Sequence, residues 1–121
     1  MVGLFTLADA RMELARLRPV LDDLVVVRAD AAELAAGLAA GGPPTRLGGL
    51  PEWKAASARL DELMTMVQQT GAELKGLAPL LVDFPADLDG APVLLCWLEG
   101  EPGLAWYHQP ALGFAGRRPL P

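Results

Sequence analysis

The feature that most constrains this chain is a long apolar stripe near its start. Leu7, Ala10, Leu14, Leu17, Leu21, Leu24, Ala31, Ala35 and Leu38 recur at alternating spacings of three and four, with Arg28 at one seam position. That periodicity belongs to one face of an α-helix. Thr6 can cap its first turn and Asp9 complements the positive end of its dipole. Gly41-Gly42-Pro43-Pro44 ends it, because glycine supplies a left-handed exit and proline cannot continue the hydrogen bonding. The spacing therefore predicts a helix over 6–40, with a kink near Pro19, whose ring removes one N–H from the ladder.

A loop over 41–50 leads to a second helix over 51–70. Pro51 and Glu52 suit its first turn; Trp53, Ala56, Leu60, Leu63 and Val67, flanked by Met64, form its inner stripe, and Gly71 stops it. A connection of about ten residues lets the helices fold back antiparallel. The first would extend about 50 Å and the second about 30 Å. The shorter helix cannot shelter Leu7, Leu14 and Leu17, which need the C-terminal segment or another chain. This mismatch is the basis for expecting a homo-oligomer, with a dimer favoured.

After Gly76 the period changes. "LLVDF", "VLLCWL" and "LAWYH" are short, rich in branched or aromatic residues and separated by turn chemistry, with Asp89-Gly90 suited to a type I′ hairpin. Three antiparallel strands are predicted, with "AELK" as a possible fourth, giving a small sheet over 72–108 and a C-terminal tail over 109–121 as loop. The fold class expected is α+β: a single domain over 1–121, an antiparallel two-helix hairpin followed by a small antiparallel β-meander.

Charge and composition exclude several partners. Ten Lys and Arg stand against fifteen Asp and Glu, a net charge of −5, and only Arg117 and Arg118 are adjacent. Without a basic stripe to neutralise phosphates, nucleic acid is not an expected partner. The longest apolar run, Val93–Leu98, falls short of the ~20 residues a spanning helix needs. The N-terminal "MVGLFTLADARMELARL" reads as an amphipathic helix carrying Asp9 and Glu13, not as a secretion signal. One cysteine allows no internal disulfide, which fits a reducing, cytoplasmic setting.

The stretch Cys96–His108 holds the only Cys, His and Tyr and two of the three Trp residues. If Asp89-Gly90 is a two-residue turn, Asp83 faces Cys96 and Phe84 faces Leu95. If Leu98 faces Leu104, Cys96 faces Trp106 and His108 faces Leu94, one diagonal step from Cys96. Asp83, Cys96 and His108 would then line one surface. Carboxylate, thiolate and imidazole are competent ligands for a divalent metal, the one cofactor the residues suggest, and Glu101 or Glu73 could complete the shell. Alternatively, the same set places a carboxylate beside an imidazole for proton transfer.

The plainer roles stand beside these. A lone Cys in an apolar strand is ordinarily a small buried hydrophobe, a strand-end His a hydrogen-bonded structural residue, and Trp97, Trp106 and Tyr107 core or interface aromatics. Arg117 could clamp an anion, although pairing with a carboxylate is its ordinary fate.

The segments "FTLADA", "ELKG", "LVDFPADLDG", "LLCWLEGEP", "WYHQP" and "GFAGRRPL", in this order, resemble the bacterial family catalogued as domain of unknown function 2203. The resemblance covers nearly the whole chain, and Val82–Leu120 is its specific part. It brings no established activity. Its Asp-Phe-Pro, Leu-Cys-Trp, Gly-Glu, Trp-His-Glu and Gly-Phe-Ala-Gly-Arg pieces fall on Asp83, Cys96 with Trp97, Glu101, His108 and Arg117. Tyr107 stands where the family usually has Trp, Gln109 where it has Glu, and Leu80 where it has Gly, so a role needing that second carboxylate is in doubt. Two functions follow as expectations: a homo-oligomeric interaction or scaffold module, or a small metal- or ligand-binding protein or enzyme using Asp83, Cys96, Glu101 and His108.

Overall fold

The structure, a computed structural model, describes residues 4–121; Met1–Gly3, the start of the amphipathic N-terminal reading, lie outside the described residues. Two helices, α1 (Leu7–Ala40) and α2 (Leu50–Gln68), precede five strands: β1 (Glu73–Leu77), β2 (Leu80–Leu88), β3 (Ala91–Leu98), β4 (Trp106–His108) and β5 (Arg118–Pro119). The fold is α+β, as the periodicities predict. No helix among the described residues is long and apolar enough to cross a membrane. The chain forms two compact units, one comprising Pro19–Met66 and the other the preceding residues together with Val67–Pro121.

The helical unit is an antiparallel hairpin. Asp23 near its start pairs with Arg59 near its end at 4.0 Å, and Glu33 pairs with Arg46 just past the turn at 3.3 Å. Leu21, Leu24, Leu34 and Leu63 are its buried residues. α1 runs through Pro19 without ending and stops at Gly41, whose φ of 70° is the left-handed exit expected of it. The stripe changes face near that end: Leu34 is buried, whereas Ala35 and Leu38 are exposed. The loop causes this. A Cβ on Gly37 would come within 2.5 Å of the Thr45 methyl, so the loop lies over the face that Gly37 shares with Leu34, three residues away. At the start of α2, the Glu52 carboxylate accepts the Gly49 N–H at 2.8 Å, satisfying one of the donors a helix N-terminus leaves open.

The other unit is built on an antiparallel sheet of order β1-β2-β3-β4-β5. Asp89 and Gly90 both have positive φ, 53° and 86°, as a type I′ turn requires. That turn fixes the register: Leu88 faces Ala91, Phe84 faces Leu95 and Asp83 faces Cys96. β4 then sets Cys96 opposite Trp106 and Leu94 opposite His108. These pairings follow the predicted register, although β4 begins only at Trp106. "AELK" does contribute to a fourth strand, β1. The tail departs from the expected loop: Gly113–Gly116 forms a 3-10 turn and Arg118–Pro119 pairs with β4. A two-residue strand is too short for alternation to show.

Side chains alternate along each strand, so the sheet has two faces. Val82, Phe84, Ala86, Val93, Leu95 and Trp97 are buried on one, where the first turns of α1 pack. Phe5 meets Phe84 edge to face at 5.4 Å, and the Arg18 guanidinium lies 4.9 Å over Trp97. Arg11 donates to the Leu104 carbonyl, and Arg18 to the carbonyls of Glu101 and Pro102, fastening the β3–β4 loop to the helix. Leu14 and Leu17 are buried here, so a part of the seam that the second helix cannot reach lies within the unit that carries the sheet.

Candidate metal centre

The second face of the sheet is dry at its centre and chemically different. β2 supplies Asp83, β3 supplies Cys96 directly across from it, and β4 supplies His108 one diagonal step away. Asp83 and His108 are each 2% exposed and Cys96 is fully buried. One ligating atom from each of the three lies within 4.8 Å of the other two. Each stands on a different paired strand, which fixes the trio more firmly than loops would.

Hydrogen bonding fixes the histidine tautomer. His108 Nδ1 lies 2.9 Å from the Gln109 carbonyl oxygen, which can only accept, so Nδ1 carries a proton and donates it. In the neutral imidazole, Nε2 is then a lone pair. It faces Asp83 Oδ2 at 3.2 Å. A lone pair opposite a carboxylate oxygen is relieved by a proton shared between them or by a nearby cation, a metal ion or an ammonium. The other carboxylate oxygen, Asp83 Oδ1, is buried and has no hydrogen-bond partner. An orphaned carboxylate oxygen in a dry interior is costly. A cation placed among an Asp83 carboxylate oxygen, a His108 ring nitrogen and Cys96 Sγ would be held by all three residues.

Burial, the charge of Asp83 and a hydrogen bond with it push the Cys96 thiol up to about 12, with Arg117 pulling the other way. A thiol held protonated is a poor nucleophile, which speaks against covalent catalysis through Cys96. Bound to a metal it would lose its proton outright.

The other sequence candidates are placed differently. Trp97 points to the opposite face and donates its indole N–H to the Glu101 carbonyl at 2.8 Å. Glu101 stays outside the trio, its carboxylate accepting the Leu98 N–H at 2.7 Å and pairing with Arg117. Arg117 stacks over Trp106 and Phe114 at 5.0 and 4.9 Å and donates to the Cys96 carbonyl at 3.1 Å. Burial works against the Arg117 charge, but Glu101 holds its pKa above the usual value. Arg117 therefore braces the backbone that carries the thiol, and its Nε is buried without a partner. At position 109, where a carboxylate is usual in the family pattern, it is the backbone carbonyl that holds His108, and Gln109 supplies that as well as Glu would.

Lys75 is the residue that sequence reasoning did not single out. Its ammonium lies 3.1 Å from Glu73 and 3.7 Å from Asp83 Oδ2. Glu73 faces Asp83 across the β1–β2 pairing. The Glu73 hydrogen bond, with Asp83 adding to it, raises the Lys75 pKa against a modest burial cost. The signal was alternation itself, since Lys75 stands two residues from Glu73 and shares the face on which Glu73 meets Asp83.

An α+β chain with a buried carboxylate, thiol and imidazole converging across three strands is the class that fold and site define. The chain belongs to the family described as an uncharacterised conserved protein, DUF2203, which matches residues 3–120. No curated protein and no solved structure matches it.

Proposed function

We propose that this protein binds one divalent transition-metal ion through the Asp83 carboxylate, the Cys96 thiolate and His108 Nε2. The observation that carries this reading is the imidazole held with its Nδ1–H on a backbone carbonyl, so that Nε2 is aimed at a carboxylate and not at a donor. Metal-ligating histidines are held in this way by their other nitrogen. One sulfur, one nitrogen and one oxygen donor suit Zn2+ or a similar borderline-soft ion in a tetrahedral site, leaving a fourth position open. Arg117 and Gln109 act as the supporting partners, the first on the Cys96 backbone and the second on the ring.

Metal analysis after dialysis against micromolar Zn2+ tests it. One ion per chain is expected, lost in both His108→Ala and Cys96→Ala. A wild-type protein that retains none would contradict the reading.

Self-association is a second reading, now resting on the exposed apolar side chains of the helical unit, Val26 at 59%, Leu38, Leu50 and Met66. A dimer, working in the reducing cytosol that a lone cysteine suits, is our proposal for that surface. Light scattering over a dilution series checks it: a mass of two chains is expected, and a monomer at all concentrations would remove it.

A further inference from the structure

The metal reading leaves the edge of the sheet unexplained. Asp83 is enclosed from the β3 side by Cys96 and His108, but on its other flank lies β1, an outermost strand. There, Leu74 pairs with Val82 and Gly76 with Leu81, so two adjacent residues of β2 are matched by residues two apart on β1. Lys75 is the extra residue of that bulge. Bulges are frequent beside functional sites. Two residues from Glu73, which faces Asp83, Lys75 lies on the same face and delivers an ammonium to Asp83 Oδ2 while staying 43% exposed, with the 45% exposed Glu73 also holding it. The order from solvent inward is carboxylate, ammonium, carboxylate, imidazole.

We propose that Lys75 is the resident cation of the metal-free site, a tethered competitor that an incoming metal ion displaces onto Glu73 and solvent. The proposal rests on the metal reading above and specifies how that site is regulated. Without a metal, the ammonium screens the charge of a carboxylate that is otherwise buried with one oxygen unpaired. With a divalent ion bound at Asp83, the same ammonium would stand a few ångströms from two positive charges. Even at the dielectric constant of water, an ammonium about 5 Å from a divalent ion weakens its binding by about tenfold. Half-exposed and on a flexible stem, Lys75 can withdraw, and Glu73 at 3.1 Å already holds it from the outer side. The competitor sets the threshold at which the site fills. It admits a doubly charged ion that several ligands hold and rejects monovalent cations that hold Asp83 less firmly than the ammonium does.

Competition of the full-length protein against a chromogenic chelator, with Zn2+ alone as the probe, tests this. Lys75→Met is expected to bind Zn2+ about tenfold more tightly than wild type, while Lys75→Arg, which keeps the charge, stays close to wild type. Glu73→Gln, which removes the group that receives the ammonium, is expected to bind more weakly. Lys75 is exposed on an edge strand, and a thermal melt confirms that each variant is folded. If wild type binds Zn2+ but Lys75→Met binds it equally or less well, the competitor role is overturned and the metal reading stands. If neither wild type nor Lys75→Met binds Zn2+, both fall together.

Discussion

The two faces of the sheet are built from the same strands, yet only one of them is saturated. On the face toward the first turns of α1, Val82, Phe84, Leu95 and Trp97 present carbon to carbon, and the single polar atom among them, the Trp97 indole nitrogen, donates to a carbonyl. On the other, Asp83, Cys96 and His108 bring three donor atoms together with one oxygen unpaired and a lone pair aimed at a carboxylate. A small domain can hold costly polar groups in one layer because the opposite layer supplies the apolar burial that stabilises the fold. The first face makes the fold and the second is what the fold holds in place.

Mutation should separate the faces. The largest effect belongs to the apolar side: Phe84→Ala empties a fully buried site in contact with Phe5 and should cost about 3–5 kcal/mol in denaturant unfolding. A loss under about 1 kcal/mol would mean that this layer is not the stabilising one.

The next effect is pH-dependent and belongs to Cys96. The unfolded chain releases the thiol proton near 9.0, whereas the folded protein holds it until about 12. The folded state thus retains a proton that the unfolded state gives up, so this contribution is intact below pH 9 and is lost as pH rises toward 12. The slope is about 1.4 kcal/mol per pH unit. Unfolding measured for wild type and Cys96→Ala should show that slope in the difference between them, and parallel curves would contradict the placement of the thiol.

The smallest effect on stability belongs to Asp83. Asp83→Asn in the metal-free protein gives His108 Nε2 an amide donor where it now meets a carboxylate oxygen. The substitution also removes the carboxylate charge that Lys75 meets at 3.7 Å, so the two changes offset and stability should move by less than about 1 kcal/mol while Zn2+ binding is lost. A loss of about 3 kcal/mol or more would show that His108 is a charged partner of Asp83 and not a waiting ligand.

Much of this was legible before any coordinates. Thr6 caps α1 through a 3.0 Å bond to the Asp9 N–H, Gly41 ends it, and the Asp89-Gly90 turn set a register that put Asp83, Cys96 and His108 on one surface. These features are local or propagate from a local turn by strict alternation, which is why single residues reveal them. What stayed hidden depends on distant partners. Leu34 replaced Ala35 and Leu38 at the end of the seam because Thr45 lies over Gly37. Glu101, chosen as a ligand by its type, was taken by the Leu98 N–H and Arg117. Lys75 follows by alternation once Glu73 is set opposite Asp83, but a five-residue strand with a bulge is too short for its period to set that register. The length mismatch between the helices was also legible, but which surface meets the leftover seam was not, since a sheet of the same chain and a second subunit present the same apolar chemistry.

The central claim is that the unsaturated face is a ligand set, and cobalt substitution tests it most directly. Added to the metal-free protein, Co2+ should give an intense near-ultraviolet thiolate-to-metal band together with visible bands of a four-coordinate ion, and Cys96→Ser should abolish the first. A spectrum identical to that of aqueous Co2+ with folded wild-type protein present would contradict it.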